Sequence, residues 1–265
     1  MNKRDFHARY GRVAVVAGAS EGLGAAFAEA LAARGLDLVL LARREHALRE
    51  LASNIERRHR VSVRPVACDL KDASFVDRLL DALAGQDVGL AIYNAAFSVL
   101  GPLLDRPLDD ALRIVDVNVK GPLRMVHALA PAMRRKRRGG IVLMSSIAGF
   151  QGAPRLAAYA ASKAWNIVLG ESLWAELRPD GVDVLVSCAG AIRTPNYERA
   201  LAKEAPGTLD SRVVAERTLE ALGSGPAIVP GAINKIATFV LGRLLPRANA
   251  IAIMDRSTRS LEDPA

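Results

Sequence analysis

Apolar residues along the chain fall into short unbroken runs, separated by longer stretches in which they recur every three or four positions. Residues 13–18, 38–42, 61–68, 88–95, 141–145 and 182–188 are runs of the first kind. Continuous apolar runs of that length mark strands covered on both faces, as in a parallel sheet, rather than the alternation of a half-exposed strand. Residues 23–34, 45–60, 74–83, 108–117, 123–135 and 157–177 carry the helical spacing. Gly35 ends the first of these helices, Pro179-Asp180-Gly181 ends the last, and Gly121-Pro122 is expected to separate two neighbours. Alternating strands and helices with right-handed crossovers predict an α/β fold, a doubly wound parallel sheet with helices on both faces. Beyond Ala189 the chain turns rich in Pro and Gly, from Pro195 to Gly231. This tail is expected to be a C-terminal helical cap on the same sheet. Residues 1–265 then form one domain, with roughly 190–265 as substrate lid and cap.

Composition narrows the picture. The chain is 51% hydrophobic but only 5% aromatic, so its core is built from Ala, Val, Leu and Ile. No uncharged apolar run approaches the roughly 18 residues of a spanning helix. The most apolar stretch, 226–254, is interrupted by Lys235, Arg243 and Arg247, and the N-terminus is polar. A cytoplasmic protein is expected, with association at a membrane surface the lesser reading. Cys68 and Cys188 each end an apolar run and read as buried thiols; they make neither a disulfide framework nor a metal site. The net charge is +8, and the densest basic run is Arg134 to Arg138. It has no interleaved aromatics and follows a helix, so it reads as cations opposite the negative end of a helix dipole rather than as a nucleic-acid patch.

Candidate chemistry begins where the first strand meets the first helix. Gly18-Ala19-Ser20-Glu21-Gly22-Leu23-Gly24 gives a tight turn and lets backbone approach a pyrophosphate closely, with the helix N-terminus supplying N–H donors. A glycine triplet alone is a weak signal, but this one lies between strand and helix, as in a Rossmann fold. After the second strand, where a carboxylate would bind a ribose 2′-hydroxyl, stand Arg43 and Arg44. A guanidinium pairs with a 2′-phosphate and a carboxylate repels it, so the pattern points to NADP(H). After the third strand, Asp69 offers an acceptor to an adenine amine, with Leu70 beside it. Tyr159 and Lys163 lie four apart, on one helix face. An ammonium fixed beside a tyrosine lowers its pKa from about 10 toward catalytic use. Ser145 and Ser146 end the preceding strand, at the sheet edge where ligands of such folds bind.

Taken together, Gly18, Gly22 and Gly24, Asn94-Ala95-Ala96, Asn118, Ser146 and the Tyr159-to-Lys163 pair resemble the short-chain dehydrogenase/reductase family over roughly residues 10–195. The resemblance implies an oxidoreductase acting on a small-molecule alcohol or carbonyl. Tyr159 would move the substrate proton. Ser146, thirteen before the tyrosine, would hydrogen-bond the substrate oxygen. Lys163 would lower the tyrosine pKa and hold the nicotinamide ribose, and Asn118 would position a water chain to Lys163. Ser20, Glu21, Leu23, Asn94 and Ala95 would line the cofactor, and Ile192 and Thr194 would meet its carboxamide. The family pairs the Tyr159 helix and its predecessor across a dimer axis, which implies a homodimer or homotetramer. Departures from the family pattern are Ala17 for Thr, Tyr93-Asn94-Ala95-Ala96 for Asn-Asn-Ala-Gly, and Ala189 for Pro. Substrate choice belongs to the tail, and the resemblance, through members with similar tails that act on lipophilic ketones and acyl chains, implies a lipophilic substrate. The competing reading is a non-catalytic NADP(H)-binding redox sensor, which typically lacks the tyrosine or the lysine.

Overall fold

The computed structural model describes residues 3–195, 197 and 204–259. Six strands come from the runs above: β1 (Val13–Ala17), β2 (Asp37–Ala42), β3 (Val63–Ala67), β4 (Val88–Tyr93), β5 (Gly139–Ser146) and β6 (Val182–Ala189). The main helices are α1 (Lys3–Tyr10), α2 (Gly22–Ala33), α3 (Glu45–His59), α4 (Phe75–Leu83), α5 (Leu108–Val115), α6 (Gly121–Lys136) and α7 (Ala157–Leu177). The tail adds β7 (Ile192–Arg193), β8 (Leu209–Asp210), α8 (Ser211–Ala221), β9 (Ala227–Ile228), α9 (Ala232–Phe239) and α10 (Arg247–Arg259). The sheet runs β3-β2-β1-β4-β5-β6-β9, and every pairing is parallel. Strand order therefore reverses between β1 and β4. Their carboxyl ends open the crevice in which doubly wound sheets bind ligands.

Alternate residues of each strand serve opposite layers. Ala14, Val16, Leu38, Leu40, Ile92 and Val142 pack with Phe27 and Leu31 of α2, Leu48 of α3 and Val214 of α8. Val15, Val39, Leu41, Ala91 and Leu143 pack with Phe75 and Leu79 of α4 and with Met125 and Leu129 of α6. Both faces are covered, which is why the runs are continuously apolar.

The structure departs from the sequence expectation, or adds to it, at four places. The N-terminal segment is a helix despite its polarity. Phe6 and Tyr10, one turn apart, are buried, and Tyr10 Oη donates to Asp183 at 2.8 Å. Two apolar anchors among eight residues are too few for a periodicity signal. Gly121-Pro122 breaks nothing. α5 continues into α6 through one π-helical turn, Asp116–Lys120, with Pro122 in the first turn of α6, where its missing N–H is tolerated. The carbonyls that this leaves open find other donors: Tyr93 Oη at 2.6 Å to Val117 O, and Asn166 Nδ2 at 3.0 Å to Asn118 O. β3 contains Pro65 in register with Leu40, allowed because β3 is an edge strand. β9 has only two residues, too short to signal itself.

The basic run after α6 is held within the molecule. Arg134 Nε pairs with Asp180 at 2.6 Å, Lys136 pairs with Asp87, and Arg137 Nη2 donates to Pro179 O at 2.9 Å. Cys68 and Cys188 are buried free thiols. Among the described residues no helix is long and apolar enough to cross a membrane.

Candidate active site

A cleft of about 530 Å³ lies at the β1–β4 switch point. Its lining includes Gly18, Ser20, Glu21, Gly22, Leu23, Arg43, Arg44, Asp69, Leu70, Asn94, Ala95, Tyr159, Ile192 and Thr194, all expected from sequence. Its floor depends on missing side chains. A Cβ on Gly18, at φ +85°, would fall 2.6 Å from the Ala95 backbone, and one on Gly24 would fall 1.9 Å from Gly18 O. The turn thus folds back on β4 so closely that backbone N–H groups at the start of α2 face the cleft, a cradle that fits a pyrophosphate. Asn94 locks it: its N–H donates to Ala17 O at 2.9 Å and its Nδ2 to Gly18 O at 2.9 Å. Asn94 therefore shapes the cleft through the backbone, and Ala17 needs no hydroxyl to join the strands.

The two arginines diverge. Arg44 Nη2 meets Glu21 at 2.9 Å and Ser20 Oγ at 3.1 Å, tying the second strand's exit to the glycine turn. Arg43 is exposed at the cleft wall and makes no ion pair or hydrogen bond among the described residues. Of the two it is the one with donors open to an anion.

Ser146, Tyr159 and Lys163 converge at the carboxyl end of β5. Ser145 Oγ donates to Lys163 O at 2.8 Å, so it serves as a brace for α7. Ser146 Oγ accepts from Ala148 N at 3.2 Å and stands beside the Tyr159 hydroxyl. The two serines are thus separated by strand alternation: one faces the helix backbone, the other the phenol. Lys163 is only 3% exposed. Its Nζ donates to Met144 O at 2.9 Å and lies 5.5 Å from the Tyr159 ring centroid. Burial pulls this ammonium down to about 8. For Tyr159 the structure reverses the direction expected from sequence: burial pushes the phenol above its ordinary value, and the hydrogen bond with Ser146 offsets this only in part. The reason is geometric. The ammonium is engaged by a carbonyl and stands over the ring.

Asn118 also differs from expectation. Its side chain accepts from Phe97 N at 2.8 Å and donates to Phe97 O at 2.9 Å and to Ser162 Oγ at 3.0 Å. It fastens the segment after β4 to the π turn. The open acceptor beside it belongs to Asn166, whose Oδ1 is buried without a hydrogen-bond partner in the described structure. Asn166 escaped the sequence reading because it shares no recognisable spacing with the tyrosine and lysine. Tyr93, where the family has Asn, fits because Gly121 leaves room: a Cβ there would fall 1.9 Å from Tyr93 Oη.

The tail closes one side. Thr194 packs on Gly22, where a Cβ would meet its methyl at 2.9 Å. Asn234 of α9 is buried against Gly190 and donates to Gly207 O at 3.0 Å and Pro230 O at 3.1 Å. Gly190, Phe97, Ser98, Arg113, Val117 and Tyr197 also line the cleft. Sequence reasoning did not assign these six: Phe97, Ser98, Val117, Gly190 and Tyr197 lie within three residues of an expected site residue but carry no motif of their own, and Arg113 arrives from a different face of α5. Of the stretch 195–207 expected to form a lid, residues 196 and 198–203 lie outside the described residues. On its far side Tyr159 borders a second, narrow recess whose lining includes Val99, Leu103, Ile114 and Leu156.

A model of the short chain dehydrogenase family matches residues 12–205. A very-long-chain 3-oxoacyl-CoA reductase of Pyricularia oryzae is 36% identical over 202 residues, which are 72% of this chain and 61% of that protein. The chain thus spans about three fifths of that relative's length. Among solved structures, a 7beta-hydroxysteroid dehydrogenase superposes with a TM-score of 0.88 at 28% identity, covering 96% of this chain and 99% of the other. A short-chain dehydrogenase from Sphingobium yanoikuyae in complex with NADPH gives 0.76 at 25% identity, covering 96% of each chain.

Proposed function

The chain belongs to the short-chain dehydrogenase family, and on that premise we propose that it moves a hydride between NADP(H) and a carbonyl or hydroxyl carbon of a lipophilic substrate. The observation that carries this reading is Tyr159 at the edge of a cleft floored by the glycine turn, with Ser146 beside it and the buried Lys163 ammonium against its ring.

When bound, the nicotinamide supplies or takes the hydride. Tyr159 Oη–H donates the proton that a reduced carbonyl oxygen must gain, and a phenol held above its ordinary pKa is loaded for that task. Ser146 Oγ–H donates a hydrogen bond to the same oxygen as charge develops there, without moving a proton itself. Lys163 keeps positive charge beneath the phenol and directs its remaining N–H donors to the ribose side. Asn118 and Asn166 hold the π turn against α7. The start of α2 holds the pyrophosphate, and Arg43 holds the 2′-phosphate. Ile192 and Thr194 bound the carboxamide side, and residues 190–265 serve as lid and cap. The presence of both Tyr159 and Lys163, with Ser146 beside them, speaks against a non-catalytic sensor.

The lipophilic substrate is supported by the acyl-CoA reductase and hydroxysteroid dehydrogenase among the relatives. The cofactor preference is supported by Arg43 and by the NADPH-bound neighbour. The test is fluorescence titration with NADPH and NADH, followed by oxidation of NADPH in the presence of steroid and long-chain ketones. Wild type is expected to bind NADPH more tightly. Arg43→Glu should weaken NADPH on the order of 100-fold, because it removes a charge-assisted contact and adds repulsion, while NADH changes little. Equal affinity for the two cofactors in wild type would refute the NADP(H) assignment.

A homo-oligomer is also proposed. Leu108, Leu112 and Val115 on α5, Leu123 on α6 and Val168 on α7 are exposed, Leu108 at 71% and Val168 at 64%. Leu108, Leu112 and Val115 recur at helical spacing on one face of α5, and exposed apolar residues so grouped favour an interface. Light scattering should give a multiple of the 28.3 kDa chain mass. A single species at the chain mass would count against it.

A further inference from the structure

We propose that Arg155 and Asp255 form a latch by which α10 holds the entry of α7, which makes them positioning residues for Tyr159; this rests on the reading of Tyr159 as the proton donor. Residues 147–158 join Ser146 to Tyr159, and the link ends in a turn. Leu156 N donates to Ala153 O at 3.1 Å, with Pro154 and Arg155 between them. Arg155 has φ +65°, the left-handed conformation that a turn with proline in second place gives to glycine in third. Among the described residues, the other non-glycine positions with positive φ, Arg60, Ala84 and Arg137, are helix C-caps, where that conformation is ordinary. Arg155 stands instead just before a helix, the one that carries Tyr159 in its first turn. Leu156, at the N-cap of α7, offers no side-chain cap. The start of α7 therefore has no local brace and depends on what packs against it.

α10 supplies that brace along its length. Arg247 Nη1 donates to Phe150 O at 3.2 Å. Ile251 stands against Gly152, where a Cβ would lie 3.4 Å from it. Met254 packs on the cluster of Ala148, Ala153 and Ala160, which Leu156 and Tyr159 also join. Asp255 Oδ1 accepts from Arg155 Nη1 at 2.9 Å, with the two side chains 24% and 20% exposed. Arg259, one turn on, donates from Nε to Asp255 Oδ2 at 2.9 Å and so orients the carboxylate. On the other side Gly101 N donates to Arg155 O at 3.0 Å, so Arg155 is gripped by backbone and side chain together. A fully exposed ion pair contributes little. This one is largely sheltered and holds a residue in a conformation that its side chain disfavours, so what it fixes is backbone geometry. Loss of Asp255 frees Arg155 to relax toward negative φ, and the first turn of α7 moves with it. Glycine at 155 keeps positive φ unaided, which separates a latch from a plain ion pair.

The experiment compares the full chain carrying Asp255→Ala, Arg155→Gly or both substitutions. It measures amide hydrogen exchange over residues 153–163 and NADPH oxidation with methyl nonyl ketone as the probe. Asp255→Ala should speed exchange roughly 10-fold and lower kcat about 10-fold. NADPH affinity should stay within a few-fold, because the glycine turn is untouched. Arg155→Gly alone should stay near wild type in both measurements. The double variant should recover most of what Asp255→Ala loses, since glycine needs no partner to hold the turn. Asp255→Asn keeps an acceptor at Oδ1 and should fall between; it takes the place of Asp255→Ala if circular dichroism shows the latter to be unfolded. Arg155→Gly as damaging as Asp255→Ala, or a double variant no better than Asp255→Ala, overturns the proposal. Unchanged exchange or turnover in Asp255→Ala overturns it as well, as the mark of a surface ion pair. A wild type that binds NADPH and shows the exchange pattern across the variants, yet never oxidises NADPH, overturns the reading of Tyr159 as proton donor, and the positioning role with it.

Discussion

Tyr159→Phe should lower kcat by roughly 10²–10⁴-fold, the range for loss of a general acid, while leaving NADPH affinity within a few-fold of wild type. The substitution keeps the ring, its packing against the small cluster of Ala148, Ala153 and Ala160, and the stacked Lys163 ammonium. What it removes is one oxygen and one proton. On the proposed mechanism the substrate oxygen gains charge as it is reduced, and the Tyr159 phenol would be the group that protonates it. Ser146 donates a hydrogen bond but has no comparable acidity, so it cannot substitute. Single-turnover oxidation of NADPH separates chemistry from product release, and a parallel titration reports binding. A loss below 10-fold would show that the proton comes from elsewhere. The direction of the Tyr159 shift adds a pH signature. With burial holding the phenol protonated, reduction should change little through neutral pH, whereas the reverse oxidation, which needs the phenolate, should rise with pH.

Lys163→Met should do two opposite things: abolish activity, and raise the thermal stability of the cofactor-free protein at pH 7. The ammonium is pulled from its ordinary 10.5 down to about 8 by burial. At every pH below about 8 both the folded and unfolded chains carry the proton, and the fold bears the full cost of burying the charge, on the order of 3 kcal/mol. Between about 8 and 10.5 the unfolded chain binds a proton that the folded chain does not, so wild-type stability rises with pH through this window. Met fills similar volume without the charge. Against this gain stands the lost hydrogen bond to Met144 O, worth about 1 kcal/mol. The net is a rise in Tm of a few degrees at pH 7 that shrinks and disappears as pH approaches 10. Calorimetry at pH 7 and 10 measures both. A Tm that falls at pH 7 would mean that the ammonium is a stabilising element of the fold. In wild type, kcat/KM for reduction should fall on the alkaline side near pH 8, where Lys163 loses the charge beneath the phenol.

Both variants were nameable from the sequence, and the reason is local. Tyr159 and Lys163 sit four apart on one helix, so their shared face follows from helix geometry alone. The glycine turn lies directly between a strand and a helix, so its place in the fold is carried by its neighbours in the chain. The continuous apolar runs of β1, β4, β5 and β6 announce a sheet buried on both faces. These features depend on residues within a turn or two of each other.

Other assignments waited on where distant segments meet. Arg43 and Arg44 are equivalent in sequence, yet Glu21 and Ser20 engage only the second. Asn118 is recognisable by position, but its side chain is committed to Phe97 and Ser162, and the open acceptor falls to Asn166. Lys163 was expected to depress the tyrosine, and the reversal arises because burial governs both groups. The π turn exists because Tyr93 and Asn166, from two other elements, supply the hydrogen bonds that an unbroken helix would make itself. Arg113 carries no motif at all. Its surroundings emerge only when α5 crosses the segment after β4 and sets it between Phe97 and Asp69. Thus the sequence by itself determined the layering, the dinucleotide turn and the tyrosine–lysine pair, since periodicity and short spacing encode them. The tertiary structure decided which polar group meets which, because a hydrogen bond or ion pair depends on partners that the chain brings together from far apart.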